Sequence, residues 1–254
     1  MPSGTLLPSL LLLAAVAPPV PAETREPLVV RGKAQTLHLY GPRDGRPAVV
    51  ASGDGGWIHL GVEAAAFLAS QGYFVVGVDS KAYLSSFTSG SRTLAASDVP
   101  ADFRVFVDRA RSTRPEPVPL VGVSEGAGLS VLAASDPELR KDLLGVLGLG
   151  LPNENELGWR WRDAIIYLTK KAPNEPGFKA ADYVPRLLDL PLAAIHSTHD
   201  EFVPLEEVKA LMSGPGGPRR LWVLEAPDHR FSGRGAELNR RILEALEWMR
   251  TERR

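Results

Sequence analysis

Apolar residues along this chain occur in two alternating patterns, short strand-like runs and longer stretches with helical spacing. The pattern predicts β-strands at residues 27–31, 36–40, 47–51, 73–78, 119–123, 143–149, 192–195 and 221–224, of which 73–78 is apolar along both faces, as buried parallel strands are. Helical spacing predicts helices over residues 60–71, 97–110, 127–134 and 236–249, with a further helix after Pro204. Because strands that alternate with helices favour parallel βαβ crossovers, we predict one α/β domain with a mostly parallel sheet and helices on both faces.

The alternation breaks down between residues 152 and 190. This stretch is rich in Trp, Asn, Pro and charged residues. A segment of this length between two strands is seldom a bare loop in a compact domain. We therefore expect a small cap insertion over 152–190, whose large apolar side chains either line an acyl-binding site or pack on the sheet. These side chains are Trp159, Trp161, Ile165, Ile166 and Tyr167.

The first 22 residues differ in character from the rest of the chain. They contain the apolar run 10–17, which is too short to span a bilayer as a helix, and no Lys or Arg precedes it. Val20 and Ala22 place small residues at the −3 and −1 positions of a signal-peptidase site before Glu23. We expect a cleavable signal peptide over 1–22, a domain over 23–254, and a periplasmic or secreted location.

Composition excludes several classes of function. The 254 residues contain 29 Lys and Arg against 30 Asp and Glu, a formal net charge of −1, which offers no support for nucleic-acid binding. The chain has no cysteine, so disulfides, thiolate metal sites and cysteine nucleophiles are all excluded. The remaining composition is that of an ordinary globular protein.

Ser124 lies in a turn that is typical of a nucleophile. The sequence Gly122-Val123-Ser124-Glu125-Gly126 fits the pattern G-x-S-x-G, directly after an apolar strand and directly before a helix. A sharp turn at this point lifts the serine hydroxyl above the end of the strand, and small neighbours let the chain segments pass closely. The alternative is a glycine-rich βα turn in which the serine is only structural.

A nucleophilic serine needs a base and an acid, which follow it along the chain in the order Ser, acid, His. Of the five histidines, only His229 lies between the last predicted strand and the final helix, where the base loop belongs. Asp200 follows the preceding strand, where the acid belongs, although Glu201 and Asp228 remain alternative acids. We predict Ser124, Asp200 and His229 as nucleophile, acid and base.

The oxyanion formed during acyl transfer requires two N–H donors. One is expected at the amide of Glu125, the residue after the nucleophile, and the other at Asp54 or Gly55 in the glycine-rich loop after the strand 47–51. These glycines fit neither a P-loop nor a dinucleotide fingerprint, and no histidine pair has metal-ligand spacing. We therefore expect no cofactor and no metal.

The loop Ser52-Gly53-Asp54-Gly55-Gly56-Trp57 resembles the S-G-D-G-G-W loop of the VirJ/AcvB-type bacterial virulence protein domain. The similarity continues through residues 77–80, 83, 92–93 and 98 and into residues 121–127, so it covers roughly residues 48–130. The resemblance implies an α/β-hydrolase fold and an exported, periplasmic hydrolase. It further implies aminoacyl-phospholipids as substrates, notably lysyl-phosphatidylglycerol, and therefore peripheral contact with membrane lipid.

Two other functions remain open at this stage. One is a non-catalytic periplasmic interaction factor of a secretion or virulence system, whose protein partner is unknown, and the other is a general carboxylesterase or lipase. A lysyl group is cationic, and an acidic site entrance built from Asp54, Asp79, Glu125 and Asp228 would suit it. Asp54 and Asp79 are equally consistent with structural roles in their own turns.

Overall fold

The computed structural model describes residues 23–160 and 176–253. Their strands are β1 (Thr24–Val30), β2 (Lys33–Tyr40), β3 (Arg46–Ala51), β4 (Tyr73–Val78), β5 (Val118–Val123), β6 (Leu143–Leu149), β7 (Glu154–Glu156), β8 (Gly177–Lys179), β9 (Leu192–Ser197) and β10 (Arg219–Leu224). The helices are α1 (Leu60–Ser70), α2 (Ser80–Phe87), α3 (Val99–Arg111), α4 (Glu125–Ala134), α5 (Pro137–Arg140), α6 (Leu205–Ser213) and α7 (Gly235–Glu252). Short 3₁₀ turns occur at Ala96–Asp98, Ala180–Asp182 and Val184–Leu187.

Eight strands form one twisted sheet in the order β1-β2-β4-β3-β5-β6-β9-β10. The β1–β2 and β2–β4 pairs are antiparallel, and the remaining pairs are parallel. The central strands are buried along their whole length, as expected for parallel strands covered on both faces. The predicted α/β fold class is therefore confirmed.

Two apolar cores lie on opposite faces of this sheet. One packs the sheet against α3, α4 and α6, through side chains such as Phe103, Phe106 and Leu129. The other packs it against α1 and α7, through side chains such as Leu68 and Ile242. Helices on both faces leave the carboxyl ends of the parallel strands free to carry loops, which is where open α/β sheets gather functional groups.

The helix α2 was not predicted from the sequence. It is only eight residues long and shows no periodic pattern of apolar residues. Its amino end is capped by Asp79, whose carboxylate accepts a hydrogen bond from the amide of Ala82 at 2.9 Å. The helix is held from the core side by Tyr83 and Leu84, which are fully buried. Tertiary packing thus supplies the stability that eight residues alone would lack.

The described part of the expected cap insertion contains the antiparallel pair β7–β8 and two 3₁₀ turns. Trp159 packs into the core beside the sheet, and its amide donates to Thr88 Oγ1 at 3.1 Å. Trp161, Ile165, Ile166 and Tyr167 lie outside the described residues, as does the expected signal peptide 1–22. Among the residues that the structure describes, no helix is long and apolar enough to cross a membrane.

Candidate active site

Loops at the carboxyl edge of the sheet enclose a pocket of about 320 Å³. The register aligns the ends of the parallel strands here, since Ala51 pairs with Gly122, and Leu149 pairs with both Val123 and Ile195. The pocket is lined by residues of five segments, namely 53–60, 123–125, 152–156, 202–207 and 229–230. Every residue predicted as nucleophile, base or oxyanion donor lines this pocket, and Asp200, the predicted acid, binds the imidazole of His229, which also lines it.

Ser124 joins β5 to α4 with a backbone conformation that is rare for a residue with a side chain. Its φ of 47° and ψ of −117° lie outside the regions that L-residues favour, at a cost of roughly 1–3 kcal/mol. A Cβ at Gly122 would lie 2.3 Å from Ala127 Cα, and one at Gly126 would lie 2.3 Å from Ser52 O. The two glycines of the motif are therefore needed for the turn to close, and the turn presents Ser124 to the pocket.

Asp200 binds the imidazole of His229. Its Oδ2 lies 2.6 Å from His229 Nδ1, and its Oδ1 accepts the amides of Phe202 at 3.0 Å and Val203 at 2.8 Å. Burial opposes ionisation of this carboxyl, but the hydrogen bond and the charge of His229 together with the two amides outweigh it, so the pKa of Asp200 is lowered. An ionised Asp200 accepts a hydrogen bond from the Nδ1–H group of His229, so Nε2 is the ring nitrogen without a proton in the neutral imidazole.

The other acids considered from the sequence lie in different positions. Glu201 accepts the backbone amide of His229 at 2.8 Å, so it holds the loop rather than the ring. Asp228 accepts the amides of Arg230 and Ser232 at 3.1 and 3.0 Å, which stabilises its own turn. Of the three carboxylates, the structure brings only Asp200 to the imidazole.

The glycine-rich loop and the amino end of α4 meet next to Ser124. Gly53, Asp54 and Gly55 line the pocket, and a Cβ at Gly53 would lie 3.5 Å from Ser124 Cβ. Glu125 is the first residue of α4, where helix geometry leaves the N–H without an acceptor in the helix. The two predicted sources of oxyanion donors thus face one pocket.

The Glu125 side chain connects the turn at Ser124 to the insertion. It is buried and accepts the amide of Glu156 at 2.7 Å. Burial and the neighbouring charges of Glu156 and Asp54 together raise the pKa of Glu125 well above its ordinary value, against the opposing effect of the Glu156 amide.

Among the charged residues of the pocket wall, acidic side chains predominate. The lining includes one arginine, Arg230, and the acidic residues Asp54, Glu125, Glu154, Glu156 and Glu207. Two of the acids expected at the entrance have structural roles instead, because Asp79 caps α2 and Asp228 holds its own turn. The acidic character predicted from the sequence is present, but different residues supply most of it.

Several residues near the site were missed by sequence reasoning. Gly150 follows β6 with a φ of +64° and lies against the His229 ring, where a Cβ would approach Cε1 to 2.5 Å. His196 is fully buried, with Nε2 3.0 Å from Val203 O and 3.8 Å from Asp200 Oδ2. Burial lowers the pKa of His196. The available signal at Gly150 was a glycine directly after a buried strand, which often marks a close approach.

The remaining histidines do not form a metal site. His38 is a buried residue of β2, and His59 lines the pocket with a φ of 47°. His199 contacts Thr198 and the carbonyl of Ala226. Over residues 23–160 and 176–253, no group of three or more His, Asp or Glu side chains is placed to hold a metal ion.

Comparison with known proteins agrees with the resemblance seen in the sequence. Residues 46–156 match the family model described as bacterial virulence protein (VirJ). The matched region includes the glycine-rich loop, Ser124 and Glu125, and it ends before Asp200 and His229. None of the curated proteins compared with this chain matches it.

Solved structures with similar folds include an esterase and a phospholipase. Est1E from Butyrivibrio proteoclasticus is 14% identical, with a TM-score of 0.64 over 90% of this chain and 98% of that one. The Pyrococcus furiosus esterase Pf2001 is 18% identical, with a TM-score of 0.66 over 89% and 91%. A membrane phospholipase A described as a novel bacterial virulence factor is 14% identical, with a TM-score of 0.63 over 90% and 87%. At these identities the similarity establishes the fold alone, so the chain has an α/β-hydrolase fold in which residues 46–156 are similar to the VirJ family.

Proposed function

We propose that this protein is a serine hydrolase that cleaves carboxylic esters. The observation that carries the proposal is the 2.6 Å hydrogen bond between Asp200 and His229 at the pocket that also presents Ser124. A buried carboxylate that fixes one ring nitrogen of a histidine, beside a serine in a strained strand-to-helix turn, is the arrangement used for nucleophilic acyl transfer. A structural serine would need neither partner.

In the proposed reaction, Ser124 Oγ attacks the ester carbonyl while His229 Nε2 takes its proton. Asp200 holds the imidazole in the required tautomer and stabilises the imidazolium. The amides of Glu125 and of Asp54 or Gly55 donate hydrogen bonds to the oxyanion. His229 then returns the proton to the leaving alcohol, and a water molecule activated by the same histidine hydrolyses the acyl-enzyme.

We further propose that the ester is an aminoacyl ester of a phospholipid, with lysyl-phosphatidylglycerol as the first candidate. The resemblance to the VirJ/AcvB-type domain suggests this substrate class, and the acidic pocket wall supports it on physical grounds. Carboxylates of Asp54, Glu154, Glu156 and Glu207 would attract the two ammonium groups of a lysyl ester and disfavour an acyl group that is anionic.

A lipid substrate is compatible with the location proposed for the protein. A signal peptide over 1–22 would deliver residues 23–254 to the periplasm or outside the cell, where a lipid headgroup at the membrane surface is accessible. We propose that the segment 152–190 acts as the cap of the site. Pro152, Glu154 and Glu156 from its described part already line the pocket.

The test compares wild-type protein with Ser124→Ala and with Ser130→Ala as a matched control. Ser130 lies on α4, the helix that follows Ser124. It is fully buried, and its hydroxyl donates a hydrogen bond to Gly126 O at 2.7 Å. We expect a fluorophosphonate probe to label wild type and the Ser130 variant but not the Ser124 variant. Loss of the nucleophile should lower ester hydrolysis about 10³-fold or more.

The substrates distinguish the finer proposals. Release of lysine from lysyl-phosphatidylglycerol vesicles, with slow turnover of a neutral p-nitrophenyl butyrate, supports the aminoacyl ester. Turnover of the simple ester alone would indicate a general carboxylesterase. A folded wild-type protein that neither binds the probe nor hydrolyses any ester would refute the hydrolase and favour a binding role.

A further inference from the structure

Trp57 ends the glycine-rich loop and points away from the pocket that the loop lines. Its indole stacks on His38, with ring centroids 4.6 Å apart and an interplanar angle of 15°. The ring also covers Gly77 of β4 so closely that a Cβ there would lie 2.2 Å from Trp57 Cη2. The loop residues 53–56 reach the pocket, whereas Trp57 anchors the end of the loop on the sheet.

A line of hydrogen bonds continues from Trp57 to the amino-terminal segment. Trp57 Nε1 donates to the hydroxyl of Tyr40 at 3.3 Å, and this hydroxyl donates to Glu23 Oε2 at 2.9 Å. His38 Nδ1 lies 2.9 Å from Glu23 Oε1, and Arg25 Nε donates to the same oxygen at 2.7 Å. The Glu23 carboxylate therefore binds both residues that contact the indole of Trp57, namely His38 on its face and Tyr40 at its N–H group.

The charge state of Glu23 decides which groups donate and which accept in these hydrogen bonds. Its partial burial would raise its pKa, but the hydrogen bonds from Arg25, His38 and Tyr40 outweigh burial and lower the pKa of Glu23 to about 2. An ionised carboxylate can only accept, so Nδ1 of His38 and the hydroxyl of Tyr40 carry the protons. Burial raises the pKa of Tyr40 to about 12, which keeps that hydroxyl protonated as a donor.

The other end of the loop is held at Ser52. This residue is fully buried, and its Oγ accepts the amide of Ser80 at 3.1 Å. Inside the loop, the amide of Gly56 donates to Gly53 O at 3.1 Å, which closes a tight turn. Because the glycines supply no side-chain contacts of their own, these two ends help to fix the position of the loop amides.

We propose that Glu23, His38, Tyr40 and Trp57 are positioning residues that hold the loop amides of Asp54 and Gly55 in place for the oxyanion. The inference rests on the hydrolase function proposed above. It extends the site to Glu23, the first residue after the expected signal-peptidase site, so the amino-terminal segment would support catalysis without contacting the substrate. Rigid support of this kind matters because oxyanion donors act only when they are aligned before the reaction.

The test uses residues 23–254, the form that the proposed signal cleavage would leave, with the variants Tyr40→Phe, Glu23→Gln, Trp57→Phe and Trp57→Leu. Tyr73→Phe is the matched control, since Tyr73 is a buried tyrosine of β4 whose hydroxyl accepts from Arg250. Measurements are kcat and KM for an activated ester, the rate of fluorophosphonate labelling, and the melting temperature of each variant. Trp57 emission, taken as wild type minus Trp57→Phe, reports whether Tyr40→Phe and Glu23→Gln release the indole.

We expect kcat to fall about tenfold in Tyr40→Phe and in Glu23→Gln, while KM changes by less than about twofold. This loss in kcat is smaller than the ~10²–10³-fold loss that follows removal of a whole oxyanion donor, because the donor is displaced and not removed. Trp57→Phe, which keeps a ring on His38, should retain more activity than Trp57→Leu. The Tyr40→Phe/Glu23→Gln double variant should lose little more kcat than either single variant, because both substitutions interrupt the same line of hydrogen bonds from Trp57 through Tyr40 to Glu23. Tyr73→Phe should keep its kcat.

Two outcomes separate the two proposals. If wild type is labelled and active while all four variants keep its kcat and differ only in melting temperature, the positioning role is refuted and the hydrolase stands. If folded wild type is neither labelled nor active, the hydrolase itself is refuted, and the positioning role is refuted with it.

Discussion

Replacing Gly150 by alanine should displace the imidazole of His229. Gly150 follows β6, and a Cβ added to it would lie 2.5 Å from His229 Cε1 and 2.9 Å from Nδ1. Non-bonded carbon atoms settle at about 3.5–4.0 Å, so the ring and the new methyl group must separate by about 1 Å.

The imidazole can make room only by losing its interactions. Its Nδ1 is bound to Asp200 at 2.6 Å, and its ring packs edge-to-face on Phe202 at a centroid distance of 5.5 Å. A displacement of about 1 Å would stretch the hydrogen bond and move Nε2 relative to Ser124. Misplacement of a reacting group by this distance costs on the order of 10²-fold in rate, so we expect Gly150→Ala to lose about that factor in kcat/KM.

The control for this variant is Gly32→Ala. Gly32 also has a left-handed backbone, with a φ of +76°, but nothing lies within 4 Å of an added Cβ. Both variants carry the conformational cost of a Cβ at positive φ, roughly 1–2 kcal/mol, but only Gly150→Ala brings that Cβ against His229, the proposed base. Urea unfolding measures the shared cost, whereas ester hydrolysis and fluorophosphonate labelling measure the displacement.

The reasoning would be wrong if a folded Gly150→Ala protein hydrolysed esters as fast as Gly32→Ala. Such a result would mean that the backbone after β6 moves instead of the ring, and that the approach of Gly150 does not hold His229 in place. An equal loss in both variants would attribute the effect to backbone strain alone.

Three further predictions concern the acid and the helix α4. Asp200→Asn should lower kcat about 10⁴-fold with little change in KM, because the amide no longer fixes the tautomer of His229; an unchanged kcat in steady-state hydrolysis would exclude Asp200 as the acid. Burial raises the pKa of Glu125 above 4.5, so the folded state binds this proton more tightly and its contribution to stability falls as the pH rises above 4.5. Glu125→Gln should therefore be more stable relative to wild type at pH 8 than at pH 4.5 in urea titrations, and an equal difference at both values contradicts the cause assigned to the shift. Gly128→Ala would place a Cβ 1.7 Å from Asn155 Oδ1, so it should weaken the attachment of β7 and raise KM for the lipid ester more than for a small ester.

Much of the sheet could be predicted because its central strands carry their signal locally. Residues 73–78 and 143–149 are apolar at every position, and buried parallel strands require this on both faces. The turn at Ser124 could also be predicted, since the strand, the serine and the closely packed glycines are adjacent in the chain. The helix α2 could not, because its stability comes from Tyr83 and Leu84 in the core rather than from periodicity.

The sequence alone determined the fold class, the candidate nucleophile and the place of the base, since each of these is written in a short segment. It left Asp200, Glu201 and Asp228 open as acids. Only the tertiary structure distinguished them. The distance of each carboxylate from the imidazole of His229 depends on how the two loops that carry them fold at separate strand ends, and not on their separation along the chain. The approach of Gly150 to His229 and the line from Glu23 to Trp57 were likewise decided by packing between distant segments, and no local pattern of residue types records such contacts.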